Sequence, residues 1–149
     1  MLHMIVKEDK LIPSGPDDIR RRLADVREAL LQLHKALLES ERASYEQTFG
    51  KIASPYQFLQ LLTNDPWFGW LRPVSQLIAA MDEALDAKTP LTDAGVAALI
   101  HRARVMLVPT EGGEGFSQHY DEALQRDPDV VFAHATAAKL IRGQSNGAS

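Results

Sequence analysis

The sequence predicts an all-α protein, a single-domain antiparallel helix bundle of about four main helices with short connecting helices between them. Three observations carry that expectation. Apolar residues recur at alternating spacings of three and four through every long segment, which lines one face of a helix of about 3.6 residues per turn. Helix-start signals, among them Ser54-Pro55, Asp65-Pro66, Thr92 and Asp127-Pro128, punctuate the chain. The loops between them are modest, which favours antiparallel neighbours.

Residues 1–15 read as an N-terminal arm, extended or folded into a short hairpin. Met4-Ile5-Val6 and Leu11-Ile12 flank the polar run Lys7 to Lys10, but no Asn-Gly or Asp-Gly pair marks a tight turn. The bundle is expected over residues 16–142. Pro13 to Pro16 break the chain, and Asp17 and Asp18 then place carboxylates in the first turn of a long helix, where they complement its dipole. Leu23, Val26, Leu30, Leu33 and Leu37 form one packing stripe along it. Past Leu38 the apolar positions drift to Tyr45, Phe49 and Ile52, and Ser40, Glu41 and Ser44 stand where the stripe would continue. Gly50 marks the end of this helix.

Ser54-Pro55-Tyr56-Gln57 is a capping-box pattern with proline at the first helical position, and it predicts a short helix from about Pro55 to Leu62. Asp65-Pro66 opens the next helix, which carries Trp67, Trp70, Val74, Leu77, Met81 and Leu85 at threes and fours. Pro73 would remove the donor to Gly69, so a kink is expected there within one continuous helix. A further helix follows Thr92, with Val96, Leu99, Ala103 and Met106 inward, and stops at Pro109. After the glycine-rich stretch Glu111 to Gly115, a short helix holds Phe116, Tyr120, Ala123 and Leu124. Asp127-Pro128 starts the last one, with Val130, Val131, Ala135, Ala138 and Ile141 inward. Residues 143–149 read as a flexible tail. Tyr120, Ala123, Leu124, Asp127, Pro128 and Ala133 resemble the end of a tetratricopeptide unit running into the next. Without the Trp-x-x-Leu-Gly opening or a second copy, the segment reads as helix–turn–helix chemistry and not as a repeat stack.

Composition removes several function classes. The chain has no cysteine, hence no disulfide, thiolate nucleophile, zinc ribbon or iron–sulfur cluster. A formal net charge of −4 supplies no field for phosphate backbones, and nucleic acid is not an expected partner. The one dense basic run, Arg20-Arg21-Arg22, lies among Asp17, Asp18, Asp25 and Glu28 and reads as a solvated helix face. No apolar stretch approaches the roughly 18 residues of a membrane span and no targeting segment is evident, so the expectation is a soluble cytoplasmic protein that does not engage membranes.

No motif of catalytic type is complete. Di-iron bundles use Glu-x-x-His pairs, and none occurs; His119 and Glu122 give the reverse order once. His-x-x-x-His and His-Glu-x-x-His are also missing, so neither a metal site nor a cofactor is expected. The segment Thr110 to Gly115 lacks the Lys-Ser or Lys-Thr that ends a phosphate loop, and Glu111 and Glu114 would repel a phosphate. Gly-x-Ser-x-Gly is absent.

Two constellations remain. His34, Glu41 and Tyr45 share a face of the long helix, where a neighbouring segment, Trp67 to Arg72, is expected to cover them; Arg42 or Arg72 would partner the carboxylate. This column, with Arg72, is either a polar network that fixes helix register or a ligand pocket. Tyr56, Phe58, Trp67, Phe68 and Trp70 place half of the chain's aromatic residues within positions 56–70, and Trp67, Phe68 and Trp70 spread around a helix turn so that not all face one seam. They suggest a contact surface for a protein partner or a second copy. The sequence therefore favours a non-enzymatic interaction or regulatory module that self-associates or docks a protein partner, with a small-molecule- or metal-binding bundle as the alternative.

Overall fold

The computed structural model describes residues 16–108 and 114–143; 83% of these are helical, and no strand occurs among them. The N-terminal arm expected over residues 1–15, most of the glycine-rich stretch and residues 144–149 of the tail lie outside the described residues.

Helix α1, Pro16–Phe49, is the spine. Asp17 and Asp18 occupy its first turn, and Leu23, Val26, Leu30, Leu33 and Leu37 are all fully buried or nearly so. It ends where Gly50 adopts φ of +94° and donates to the Glu46 carbonyl at 2.9 Å, a left-handed turn that a side chain would oppose. The capping box forms in a shifted version: Ser54 Oγ accepts from Gln57 N at 3.1 Å, and Gln57 Oε1 accepts from Ala53 N, one residue before the cap, at 2.7 Å. Helix α2, Pro55–Asn64, follows, and none of its residues is buried.

The expectation of one kinked helix from Trp67 to Leu85 is corrected here. The segment divides into α3, Pro66–Gly69, and α4, Arg72–Asp86, with Trp70 and Leu71 as a turn between them. Pro73 has no N–H to give Gly69, so the backbone tightens: Leu71 N donates to Phe68 O at 3.1 Å, and Leu71 O then accepts from Val74 at 3.1 Å and Ser75 at 3.4 Å to start a new helix. Proline thus sits in a first turn, where it is tolerated, and not in a helix interior. The apolar phase does carry across, through Phe68, Leu71, Val74, Leu77, Ile78 and Met81. Trp67 and Trp70 are only half-buried.

Helix α5, Asp93–Met106, is capped by Thr92, whose Oγ1 accepts from Gly95 N at 3.0 Å. It buries Val96, Ile100 and Ala103. Helix α6, Phe116–Arg126, buries Tyr120 and Ala123, and α7, Pro128–Ile141, buries Val130, Ala137 and Ile141. The face of α7 is rotated from the expected one. Val131 is 43% exposed and Ala135 is exposed, while Ala133 and His134 turn inward.

Helix α1 packs against α4, α5, α6 and α7. Directions follow from specific contacts. Arg22, near the start of α1, donates to Leu140 O and Ile141 O at 3.2 Å at the end of α7, whereas Arg126, just before α7, reaches Ser40 far along α1. Arg20 likewise donates to Leu85 O at 2.8 Å and Arg27 pairs with Asp82 at 3.4 Å, both at the far end of α4. Both neighbours therefore run against α1. The basic run is thus more than a solvated face: two of its three guanidiniums satisfy carbonyls left open at helix C-termini.

Candidate functional site

Where the apolar stripe of α1 lapses, Ser40 and Glu41 are 4% and 7% exposed. A carboxylate in that position needs donors, and it has two. Trp70 Nε1 donates to Glu41 Oε1 at 3.1 Å, and Arg126 Nη2 pairs with Glu41 Oε2. The same guanidinium donates to Ser40 Oγ through Nε and Nη2, at 3.1 and 3.0 Å. The partner of Glu41 is therefore Arg126, not Arg42 or Arg72. Arg42 lies 3.8 Å from Glu46 and stacks over the Phe58 ring at 4.9 Å, while Arg72 is exposed on α4. Trp70, from the segment expected to cover this face, supplies the second donor.

A second polar contact joins α6 to α7. The Tyr120 hydroxyl lies 2.6 Å from His134 Nδ1, and its ring is completely buried. Burial pushes the phenol above its ordinary range and holds His134 below the usual imidazole value, with the positive charge of Arg142 adding to the latter. Both effects select one arrangement, a protonated phenol donating to a neutral imidazole whose proton is on Nε2. Around it runs a ladder of rings: His119 stacks on Trp70 at 5.2 Å, Trp70 meets Phe116 at 5.5 Å, and Phe116 stacks on Tyr120 at 5.5 Å. Polar pair and ring ladder together fasten α6 to α7 and to the turn at Trp70.

The expected column of His34, Glu41 and Tyr45 is divided among three environments. Glu41 belongs to the Arg126 contact. Tyr45 packs edge-on to Trp67 at 5.7 Å and beside Phe49 and Phe68 at 4.8 and 5.5 Å. His34 lines a cavity of about 140 Å³ between α1 and the α2–α4 region, and Arg72 and Ser75 line it too. Of the seven helices among the described residues, four contribute to its wall, where Leu62, Phe68 and Leu71 join Leu38 as its apolar surface. Burial lowers the pKa of His34.

The aromatic trio is also dispersed. Phe68 is 2% exposed and belongs to the core; Trp67 is half-covered by Tyr45 and Phe49, and Trp70 by Phe116 and His119. Large apolar side chains in water lie elsewhere: Phe49, Tyr56 and Leu59 at 63, 69 and 60%, and Phe132 at 71%. Among the described residues no three His, Asp or Glu side chains gather to hold a metal ion, and no helix is long and apolar enough to cross a membrane.

Arg126, Ser40 and the Tyr120–His134 pair escaped sequence reasoning. The only available signal was indirect: polar residues at stripe positions 40 and 41 demand partners. Comparison with protein-family models, curated proteins and solved structures gives no match to this chain.

Proposed function

We propose that the protein is a non-enzymatic interaction module of the cytoplasm, regulatory in role, that self-associates through the outer face of α2. The observation that carries this reading is that α2 has no buried residue and turns Tyr56 and Leu59 to solvent. The helix is held from its inner side, where Phe58 meets Phe68 at 5.7 Å under the Arg42 guanidinium, so the outer face is presented on a fixed support. Residues 55–64 include no charged side chain. In a two-fold contact each face meets its own copy, and a neutral face avoids the like-charge repulsion that most of this surface would generate. Antiparallel pairing of two α2 helices also brings Lys51 of one copy toward Asp65 of the other. One three-turn helix offers less than the about 800 Å² per partner of a stable interface, so the association is weak and concentration-dependent.

Sedimentation across a wide concentration range tests this. Wild type shifts toward dimer as concentration rises, and Leu59→Glu, which sets carboxylates against each other, stays monomeric with an unchanged melting temperature. A wild type that remains monomeric throughout, or a dimer indifferent to Leu59→Glu, refutes it. A second reading, a small-molecule-binding bundle, is favoured by the cavity at His34 and Arg72, which neither Glu41 nor Tyr45 lines.

A further inference from the structure

We infer that the cavity between α1 and the start of α4 is a binding site for a small organic carboxylate whose apolar body has about six heavy atoms. The site does not rest on self-association, since no residue of the outer α2 face lines it.

Its two halves differ in chemistry. Leu38, Leu62, Phe68 and Leu71 make an apolar wall drawn from three helices and the turn before α4, while His34, Arg72 and Ser75 gather on the polar side. The volume, about 140 Å³, is close to that of apolar cavities known to accept a benzene-sized guest. The break at Trp70–Leu71 creates the arrangement: by restarting the helix at Arg72 it aims Leu71, Arg72 and Ser75 at the same side of α1 as His34 and Leu38, which stand one turn apart.

Charge selects the ligand class. Arg72 is the one charged side chain lining the cavity, and among the described residues no carboxylate lies within 4 Å of its guanidinium, whereas Arg27, Arg42 and Arg126 each have one. A guanidinium offers a planar pair of donors matched to a carboxylate. Among the described residues the His34 ring has no hydrogen-bond partner either, and its neutral form offers one N–H to the same oxygen pair. No acidic residue lines the cavity to compete.

A proton accompanies the ligand. The groups facing His34 are Arg72 from α4 and the uncharged Leu62 and Phe68 from α2 and α3. Burial holds His34 neutral in the free protein, and a bound anion favours its imidazolium, so binding takes up a proton and tightens as the pH falls from about 8 to about 5.5.

The experiment titrates the full chain with benzoate, and with benzyl alcohol as an uncharged control of similar shape, following the His34 ring resonances by NMR at both ends of that pH range. Benzoate is expected to shift them saturably and to bind at least about tenfold more tightly than benzyl alcohol. Arg72→Gln, an exposed substitution, reduces benzoate to the level of the alcohol, while Arg21→Gln, about 20 Å along α1 from His34, leaves it unchanged. The inference is overturned if the two compounds bind equally, if Arg72→Gln binds benzoate as wild type does, if Arg21→Gln weakens it as much, or if His34 does not respond.

Discussion

The two halves of α1 are built by different means. From Leu23 to Leu37 the helix is covered by α4, α5 and α7 and, apart from the half-buried His34, contributes apolar side chains to the interior. From Ser40 to Phe49 it meets α3 and α6 through a buried serine and carboxylate and a tilted group of rings. The first half derives its stability from area removed from water, which is tolerant of which helix supplies the cover. The second half is selective: Glu41 is satisfied only if Arg126 and Trp70 arrive together, so this contact fixes where α6 ends and how α1 and α7 are aligned.

The largest effect separating the halves is expected from Leu30→Ala, which leaves a cavity among fully buried neighbours and should cost about 2–5 kcal/mol in chemical denaturation. A loss under about 1 kcal/mol would mean that this stretch repacks freely, and the contrast would fail. Arg126→Met comes next. It strands the Glu41 carboxylate, but the Arg126 side chain is 39% exposed and water screens part of the pair, so about 1–3 kcal/mol is expected. Combining it with Glu41→Leu should recover most of that loss, because the cost lies in the orphaned charge and not in the missing pair. If the double variant is the sum of its parts, the two residues act independently.

The smallest effect is one of pH. His34 and His134 both titrate below the ordinary imidazole value of 6.5 in the folded chain, because burial disfavours their charged forms. The unfolded chain therefore binds protons first, and the stability these residues contribute is complete above 6.5 and is lost as the pH falls through their lower folded values. Denaturation midpoints taken between about pH 8 and about pH 5 should fall on acidification. His134→Gln, whose amide oxygen can still accept from Tyr120, should flatten that slope. A midpoint that rises on acidification would contradict the burial of both rings.

What the sequence discloses follows the same division. The stripe from Leu23 to Leu37, the Gly50 terminus and the caps at Ser54, Asp65, Thr92 and Asp127 are local patterns, each decided by residues within a turn or two of one another. Glu41 was visible as an anomaly, but its partner stands 85 positions away at the end of another helix, and nothing local ties the two. Arg42 and Arg72, nearer in sequence or in the expected packing, are the natural guesses, but Arg42 pairs with Glu46 and Arg72 lines the His34 cavity. His134 misled in the same manner. An imidazole counts as polar in a periodicity, so the inward face of α7 was drawn through Val131 and Ala135, whereas Tyr120, on a different helix, is what makes His134 acceptable inside. Pro73 announced a disturbance, and whether it yields a bend or a restart depends on the i to i+3 contacts of Phe68 and Leu71.

The clasp at the end of α7 bears on how the chain comes off the ribosome. Arg22 and Arg104 both donate to the Ile141 carbonyl, and Arg22 lies 119 positions before it. At ordinary rates of synthesis that interval is on the order of ten seconds, during which the side of α1 that α7 covers has no cover of its own. The guanidiniums at the start of α1 spend that time in water, keeping one end of an apolar helix solvated until the carbonyls they will bind have been made. Nascent chains halted before Ile141 should accordingly be recognised by holdase chaperones, and release should coincide with emergence of the final turn of α7.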